Sequence, residues 1–207
     1  MGLIDLLLLP KGLYHRLDNS RKTLYLGIFL VGIRDVILHL SGDLTKYFSG
    51  KTQDVILANL GVMLLFVLIL GIVDVVCFSY PMFDLYNLMR RRMNAEGIPE
   101  SKGSAVKIMK IYIIANLIIT PIDFGALFFV NSLGDNPVNN TVALALNVVV
   151  FLATLWYFGV ITRGVSTLYS FKGAFTVFVF ITALLYSDLL NLAFNFISQK
   201  GLLVLLK

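Results

Sequence analysis

The sequence predicts an all-α fold, a polytopic transmembrane helical bundle of about five spans with an N-terminal interfacial amphipathic segment. Three observations predict it. Of 207 residues, 58% are hydrophobic and only 14% are charged, whereas soluble domains carry about 25% charged residues. The apolar residues form runs of about 20, long enough to cross a hydrocarbon core about 30 Å thick. The runs lack the polar–apolar alternation of barrel strands, so helices are expected.

Five apolar runs divide residues 1–207, which we treat as one membrane domain. Turn-forming residues separate them, first at Ser41-Gly42-Asp43 and later at Asn131–Asn140. The polar stretch Asp84–Lys107 is expected to be a loop, and Pro121 is expected to interrupt the third run. The predicted spans are 23–40, 55–80, 108–130, 142–161 and 174–197.

Residues 1–22 form a lead-in that is apolar first and basic afterwards, and it is too short to span a bilayer. Its leucines recur at helical spacing, so it is expected either to lie in the membrane interface or to be an ordinary amphipathic lead-in to the first span. Pro10 is expected to bend or break any single helix there. The leucines of this stripe are Leu6, Leu9, Leu13 and Leu17.

Lysine and arginine are unevenly distributed between the two predicted sides of the membrane. With the N-terminus in the cytoplasm, twelve lie on the inner side and four on the outer side, as the positive-inside rule favours. Five spans then place the C-terminus outside, and a prokaryotic plasma membrane is the expected location. The net charge of +5 therefore indicates cationic loops and predicts no nucleic-acid partner. The expected partners are the lipid bilayer and a membrane protein or a second copy of the chain.

Ionisable side chains inside the predicted spans are the candidate functional residues. Each costs at least about 2.5 to 3.5 kcal/mol near a bilayer centre, so each needs a partner or water. Arg34 and Asp35 are adjacent and point about 100° apart on a helix. They are expected to be poor partners for each other, and Arg34 is expected to pair with another span. The predicted intramembrane polar cluster consists of Arg34, Asp35, Asp74, Asp123, Asp188 and Asn191.

Two interpretations of this cluster stay open. It either bridges helices, with Arg34 paired to Asp123 or Asp188, or it forms an ion, proton or polar-substrate pathway. No motif of a soluble catalytic site is present, so no enzyme activity, cofactor or metal is expected. Arg90, Arg91 and Arg92 are candidate contacts for anionic lipid headgroups, or they simply hold their loop in the cytoplasm.

Two short motifs carry a resemblance to a known family. The residues leading into the third span read Lys102-Gly103-Ser104-Ala105-Val106-Lys107, and Pro121 lies deep in that span. Those leading into the fifth read Ser170-Phe171-Lys172-Gly173-Ala174-Phe175. With a polar lead-in before five spans, this layout resembles the Yip domain family of membrane proteins, named for interaction with Ypt/Rab GTPases. The chain lacks that family's Asp-Leu-Tyr-Gly-Pro motif.

The resemblance implies a five-helix bundle with its N-terminus inside. The first functional hypothesis is a non-enzymatic integral membrane protein that organises the membrane, or an accessory subunit that acts through helix and lipid contacts. The alternative is a small oligomeric transporter or channel that uses the intramembrane carboxylates.

Overall fold

The computed structural model describes residues 5, 7–93, 105–133 and 140–205, and every regular element in this part of the chain is a helix. Five of these helices are long and apolar enough to cross a membrane, which confirms the all-α class and the number of long apolar helices. The helices are α1 (Lys11–His15), α2 (Arg21–Phe48), α3 (Gln53–Met93), α4 (Ala105–Leu133), α5 (Asn140–Tyr169) and α6 (Ala174–Leu205).

The helices are longer than the predicted spans at most of their ends. The expected turn at Ser41–Asp43 is wrong, because α2 continues to Phe48 and the chain turns at Gly50, where φ is +76°. The expected loop from Asp84 is also wrong up to Met93, since α3 continues through that stretch. Residues 94–104 of that loop lie outside the described residues. The apolar run marks only the part of a helix that suits lipid, and polar side chains beyond it do not stop a helix.

The later helices show the same extension. The fourth predicted span ended at residue 161, but α5 continues to Tyr169. The last predicted span ended at residue 197, but α6 continues to Leu205. Pro121 does not interrupt α4, which is continuous through it. A proline removes one hydrogen bond and leaves the rest of a long helix in place.

The five long helices close into a ring, across which α3 also contacts α4 and α2 contacts α6. α2 packs on α3 and α4, α4 packs on α5, α5 packs on α6, and α6 returns to α3. The ring is tight at one end only. In α4 the buried residues extend from Ile108 to Ile119, and in α5 they begin at Ala153. We call the end containing residues 105–119 and 153–169 the packed half, and the end containing residues 121–133 and 140–152 the open half.

Two glycines set the distance between α2 and α3. A Cβ added at Gly32 would lie 2.0 Å from the Val67 carbonyl oxygen, and one added at Gly71 would lie 2.2 Å from the Ile28 carbonyl oxygen. Only glycine allows this approach of two backbones, as in other helix pairs packed through small residues. The contact brings together a small apolar cluster of Val36, Leu40, Phe66, Val67 and Leu70.

The N-terminal segment is docked against the packed half. Pro10 is extended, and only five residues after it form α1, so the lead-in is not one continuous helix. Tyr14 is fully buried, and its hydroxyl reaches the carbonyl oxygens of Leu8 at 3.0 Å and Val160 at 3.2 Å. Burial raises the pKa of Tyr14 to about 12. Leu6 of the predicted leucine stripe lies outside the described residues.

Three further contacts fix this segment to the bundle. Arg163 Nε donates to the Leu9 carbonyl oxygen at 2.8 Å, and the same guanidinium pairs with Asp5. Lys110, which is nearly buried, pairs with the exposed carboxylate of Asp18. The hydrogen bond from Lys110 lowers the pKa of Asp18. The described residues before α2 are therefore part of the folded unit.

Candidate functional site

A cavity of about 530 Å³ lies at the centre of the helix ring. Along α4 it extends from Tyr112 to Val130, which is about 27 Å of helix at 1.5 Å per residue. Every long helix contributes to its wall. All six residues of the predicted polar cluster line it: Arg34, Asp35, Asp74, Asp123, Asp188 and Asn191. Their role, structural or in transport, stays a prediction.

Arg34 links two helices at the middle of the cavity. Its Nη2 donates to Asp123 Oδ2 at 2.6 Å, which joins α2 to α4. Its Nη1 donates to Asp35 Oδ1 at 3.2 Å. Arg34 and Asp35 were expected to be poor partners for each other; the long guanidinium does turn back to reach the neighbouring carboxylate, but at a longer distance than it reaches Asp123. The geometry matches the expected pairing of Arg34 with another span.

Two carboxylates near Arg34 differ in their partners. Asp35 is almost fully buried, and its Oδ2 has no hydrogen-bond partner among the described residues. Asp74 Oδ1 accepts a hydrogen bond of 2.9 Å from the Tyr112 hydroxyl. The Tyr112 ring is in turn stacked on Phe78, with 4.0 Å between ring centroids. The cavity thus holds one carboxylate oxygen that is buried and unsatisfied, which is costly in a dry interior.

Asn116 and two tyrosines form the end of the cavity nearest the packed half. Asn116 is buried, and its Nδ2 lies 3.3 Å from the Tyr157 hydroxyl and 3.0 Å from the Tyr112 carbonyl oxygen. Tyr157 also meets Phe158 edge to face. These rings separate the cavity from the apolar core below it. Sequence reasoning missed Tyr112 and Tyr157, whose only signal was a hydroxyl in the middle of an apolar run.

Asp188 faces the cavity in a different way. Its side chain is exposed, and within the described part of the chain it makes no hydrogen bond or ion pair. It lies on α6, one helical turn before Asn191, so both residues are on the same helix face. Asp188 therefore presents a carboxylate to the space inside the ring.

The charges around the cavity do not balance. Four carboxylates and one guanidinium line it, and His39 is the other basic side chain there. No three described His, Cys, Asp or Glu side chains come together closely enough to hold a metal ion. The acidic groups are instead distributed along the cavity wall, one on each of α2, α3, α4 and α6.

The three consecutive arginines lie elsewhere. They occupy the last turn of α3, on a helix and not on the expected loop. Arg90 is buried, whereas Arg91 and Arg92 are exposed. Cations in the last turn complement the negative end of the helix dipole. Of the three, Arg91 and Arg92 are the exposed ones, and their contact with lipid headgroups stays a prediction.

No protein-family model, no curated protein and no solved structure matches the chain. The resemblance to the Yip domain family therefore stays a prediction that rests on the short motifs and the layout of the spans.

Proposed function

We propose that the chain is a non-enzymatic, multi-pass integral membrane protein whose central cavity binds and passes a cation, either a proton or a small cationic solute. The observation that carries this proposal is the excess of carboxylates over the single guanidinium Arg34. Arg34 pairs with Asp123 and Asp35, which leaves Asp74 and Asp188 in the cavity wall without an ion pair among the described residues. Uncompensated charge inside a membrane bundle is expensive and indicates a ligand or water.

Membrane insertion is supported by the outer surface of the bundle. Large apolar side chains are exposed along every long helix; among them Leu57, Phe128, Leu144, Phe151 and Leu189 are each more than half exposed. Soluble monomers rarely expose contiguous apolar patches of this extent. The five helices therefore present to their surroundings the surface that lipid requires.

The direction of the cavity follows from the charge distribution. The packed half carries the basic residues at the end of α3, at the start of α4 and around the turn from α5 to α6. By the positive-inside rule this half is cytoplasmic, and the open half faces outward. The cavity is then open toward the outside and closed toward the cytoplasm by the rings of Phe78, Tyr112 and Tyr157.

The size of the cavity suits a small solute. Ligand cavities in proteins typically have volumes of about 300 to 1,000 Å³, and this one is about 530 Å³. A transport cycle would require the aromatic closure to move, since the described cavity is not a continuous channel.

Flux into vesicles tests the proposal. Purified protein is reconstituted, and entry of protons or of monovalent cations is followed with an internal dye. Asp188→Asn is the diagnostic variant, because the exposed Asp188 carboxylate makes no hydrogen bond or ion pair among the described residues. We expect it to lower flux by about tenfold or more, the scale of one charge-assisted contact. Asp54→Asn, in the exposed first turn of α3, removes an equal charge outside the cavity and is the control.

The second candidate is the membrane-organising or accessory role. The ion pair from Arg34 to Asp123 favours it, because this contact joins two helices directly at 2.6 Å. Under this alternative neither the wild type nor Asp188→Asn shows flux, and Asp123→Asn lowers stability. Wild-type flux that is unchanged in Asp188→Asn would instead refute a pathway along these carboxylates.

A further inference from the structure

A second cavity, of about 480 Å³, lies in the packed half between the N-terminal segment and the turn from α5 to α6. It shares no lining residue with the central cavity, and its charge is opposite. Lys11, Arg163 and Lys172 line it together with His15, and no carboxylate from the described residues does so. A basic cavity therefore stands apart from the acidic one.

The walls of this second cavity also carry hydrogen-bond donors. Five hydroxyl-bearing side chains line it, and one of them, Thr162, is buried with its Oγ1 lacking any partner among the described residues. Ser166 Oγ and Thr176 Oγ1 lie 3.5 Å apart across the turn. A buried hydroxyl without a partner indicates a polar group that would satisfy it.

The basic side chains come from separate elements that are held in place. Arg163 is fixed by the Leu9 carbonyl oxygen at 2.8 Å and by Asp5. Lys11 projects from α1, and Lys172 comes from the turn after Ser170, where φ is +59°. The motif Ser170–Phe175, which the central cavity does not involve, thus forms part of this wall.

We propose that this cavity binds a phosphate group, and that the group belongs to an anionic lipid headgroup or to free phosphate. Arginine, lysine and hydroxyl donors together suit phosphate oxygens, with which they make charge-assisted hydrogen bonds. Leu8, Phe171 and Phe180 supply apolar walls beside the basic groups. The bound phosphate would tie the N-terminal segment to α5 and α6, because each side of the cavity contributes a cation.

The single tryptophan of the chain reports on this arrangement. Trp156 Nε1 donates to the Leu7 carbonyl oxygen at 2.5 Å, next to Leu8 in the cavity wall. Full-length protein in neutral detergent is washed until no phospholipid phosphorus remains. It is then titrated separately with inorganic phosphate, with micelles containing phosphatidylglycerol and with micelles of phosphatidylcholine alone, and Trp156 emission is followed.

We expect saturable binding of phosphatidylglycerol or of phosphate, and none of phosphatidylcholine. A response to inorganic phosphate identifies free phosphate as sufficient, and a response to phosphatidylglycerol alone identifies the lipid. The variant with Lys11→Gln and Lys172→Gln is expected to bind at least about tenfold more weakly. The control carries Arg21→Gln and Lys22→Gln, which removes two charges from exposed positions at the start of α2 that do not line the cavity.

Thr162→Val separates binding from folding. Since its hydroxyl has no partner, this change should leave stability unchanged or higher while it weakens binding several-fold. Equal losses in the Lys11/Lys172 variant and in the Arg21/Lys22 control would overturn the proposal, as would the absence of any response to both anions. Each of these outcomes is independent of flux through the central cavity.

Discussion

The contact between Gly32 and Gly71 leads to a sharp prediction about stability. A methyl group at position 71 would lie 2.2 Å from the Ile28 carbonyl oxygen and 2.9 Å from the Gly32 nitrogen. Both neighbours are backbone atoms, so no side chain can turn aside. Ordinary contact begins at 3.4 Å, so Gly71→Ala must move α2 and α3 apart by about 1.2 Å.

The cost of that movement follows from packing. A gap of about 0.5 to 1 Å already forfeits a quarter to a half of each van der Waals contact. The apolar cluster between α2 and α3 would be weakened throughout, and we expect Gly71→Ala to lower the free energy of unfolding by about 1 to 3 kcal/mol or more. Gly32→Ala should cost a similar amount. The double variant should cost less than the sum, because one separation makes room for both methyl groups.

The matched control is Gly61→Ala on the same helix, where an added Cβ meets nothing within 4 Å. That change should be neutral or stabilising by up to about 1 kcal/mol, since alanine favours a helix. Unfolding is followed by circular dichroism as the mole fraction of sodium dodecyl sulfate rises in mixed micelles. If Gly71→Ala and Gly61→Ala unfold at the same mole fraction of sodium dodecyl sulfate, the close approach of α2 and α3 is not present in the protein.

Two further predictions concern the polar contacts. Arg34→Met should destabilise the bundle by about 3 kcal/mol, which is more than Asp123→Asn costs, because it leaves two carboxylates without their cation. Equal free energies of unfolding for the two variants in the same assay would contradict this. Tyr14 has a pKa of about 12 when folded and 10.0 when unfolded, so its stabilisation is complete below pH 10 and is lost as pH rises to about 12. At about 1.4 kcal/mol per pKa unit this loss is at most about 3 kcal/mol. Trp156 emission should change in that window, and a Tyr14→Phe variant that still showed the change would assign it to another group.

The sequence was sufficient for the number of long helices and for six polar residues that line the central cavity. Charged side chains in apolar helices need an oppositely charged partner or water, so they lie on the helix faces that turn inward. Helical periodicity then indicates which other residues share those faces. Helix ends were less predictable. The apolar runs stop where lipid would end, while α3 and α5 continue because arginine, serine and threonine remain compatible with a helix.

The unpredicted parts of the site depend on distances that no residue pattern contains. Tyr112 and Tyr157 could equally have been core or interface residues until the fold placed their hydroxyls beside Asp74 and Asn116. The pairing of Arg34 with its own neighbour depends on how a long side chain bends. The docking of the N-terminal segment depends on Arg163, a residue more than 150 positions away.

The two cavities divide the bundle by the sign of their charge. The acidic cavity begins where the rings of Tyr112 and Tyr157 end, and the basic cavity lies on the other side of the packed core. α5 contributes to both, through Thr154 and Tyr157 to the first and through Arg163 to the second. A helix that joins two proposed ligand sites can couple them only if the binding of one ligand changes the position of the helix. Under the two proposals, a phosphate bound beside Arg163, which anchors the N-terminal segment, would restrain α5 and with it the aromatic closure of the acidic cavity.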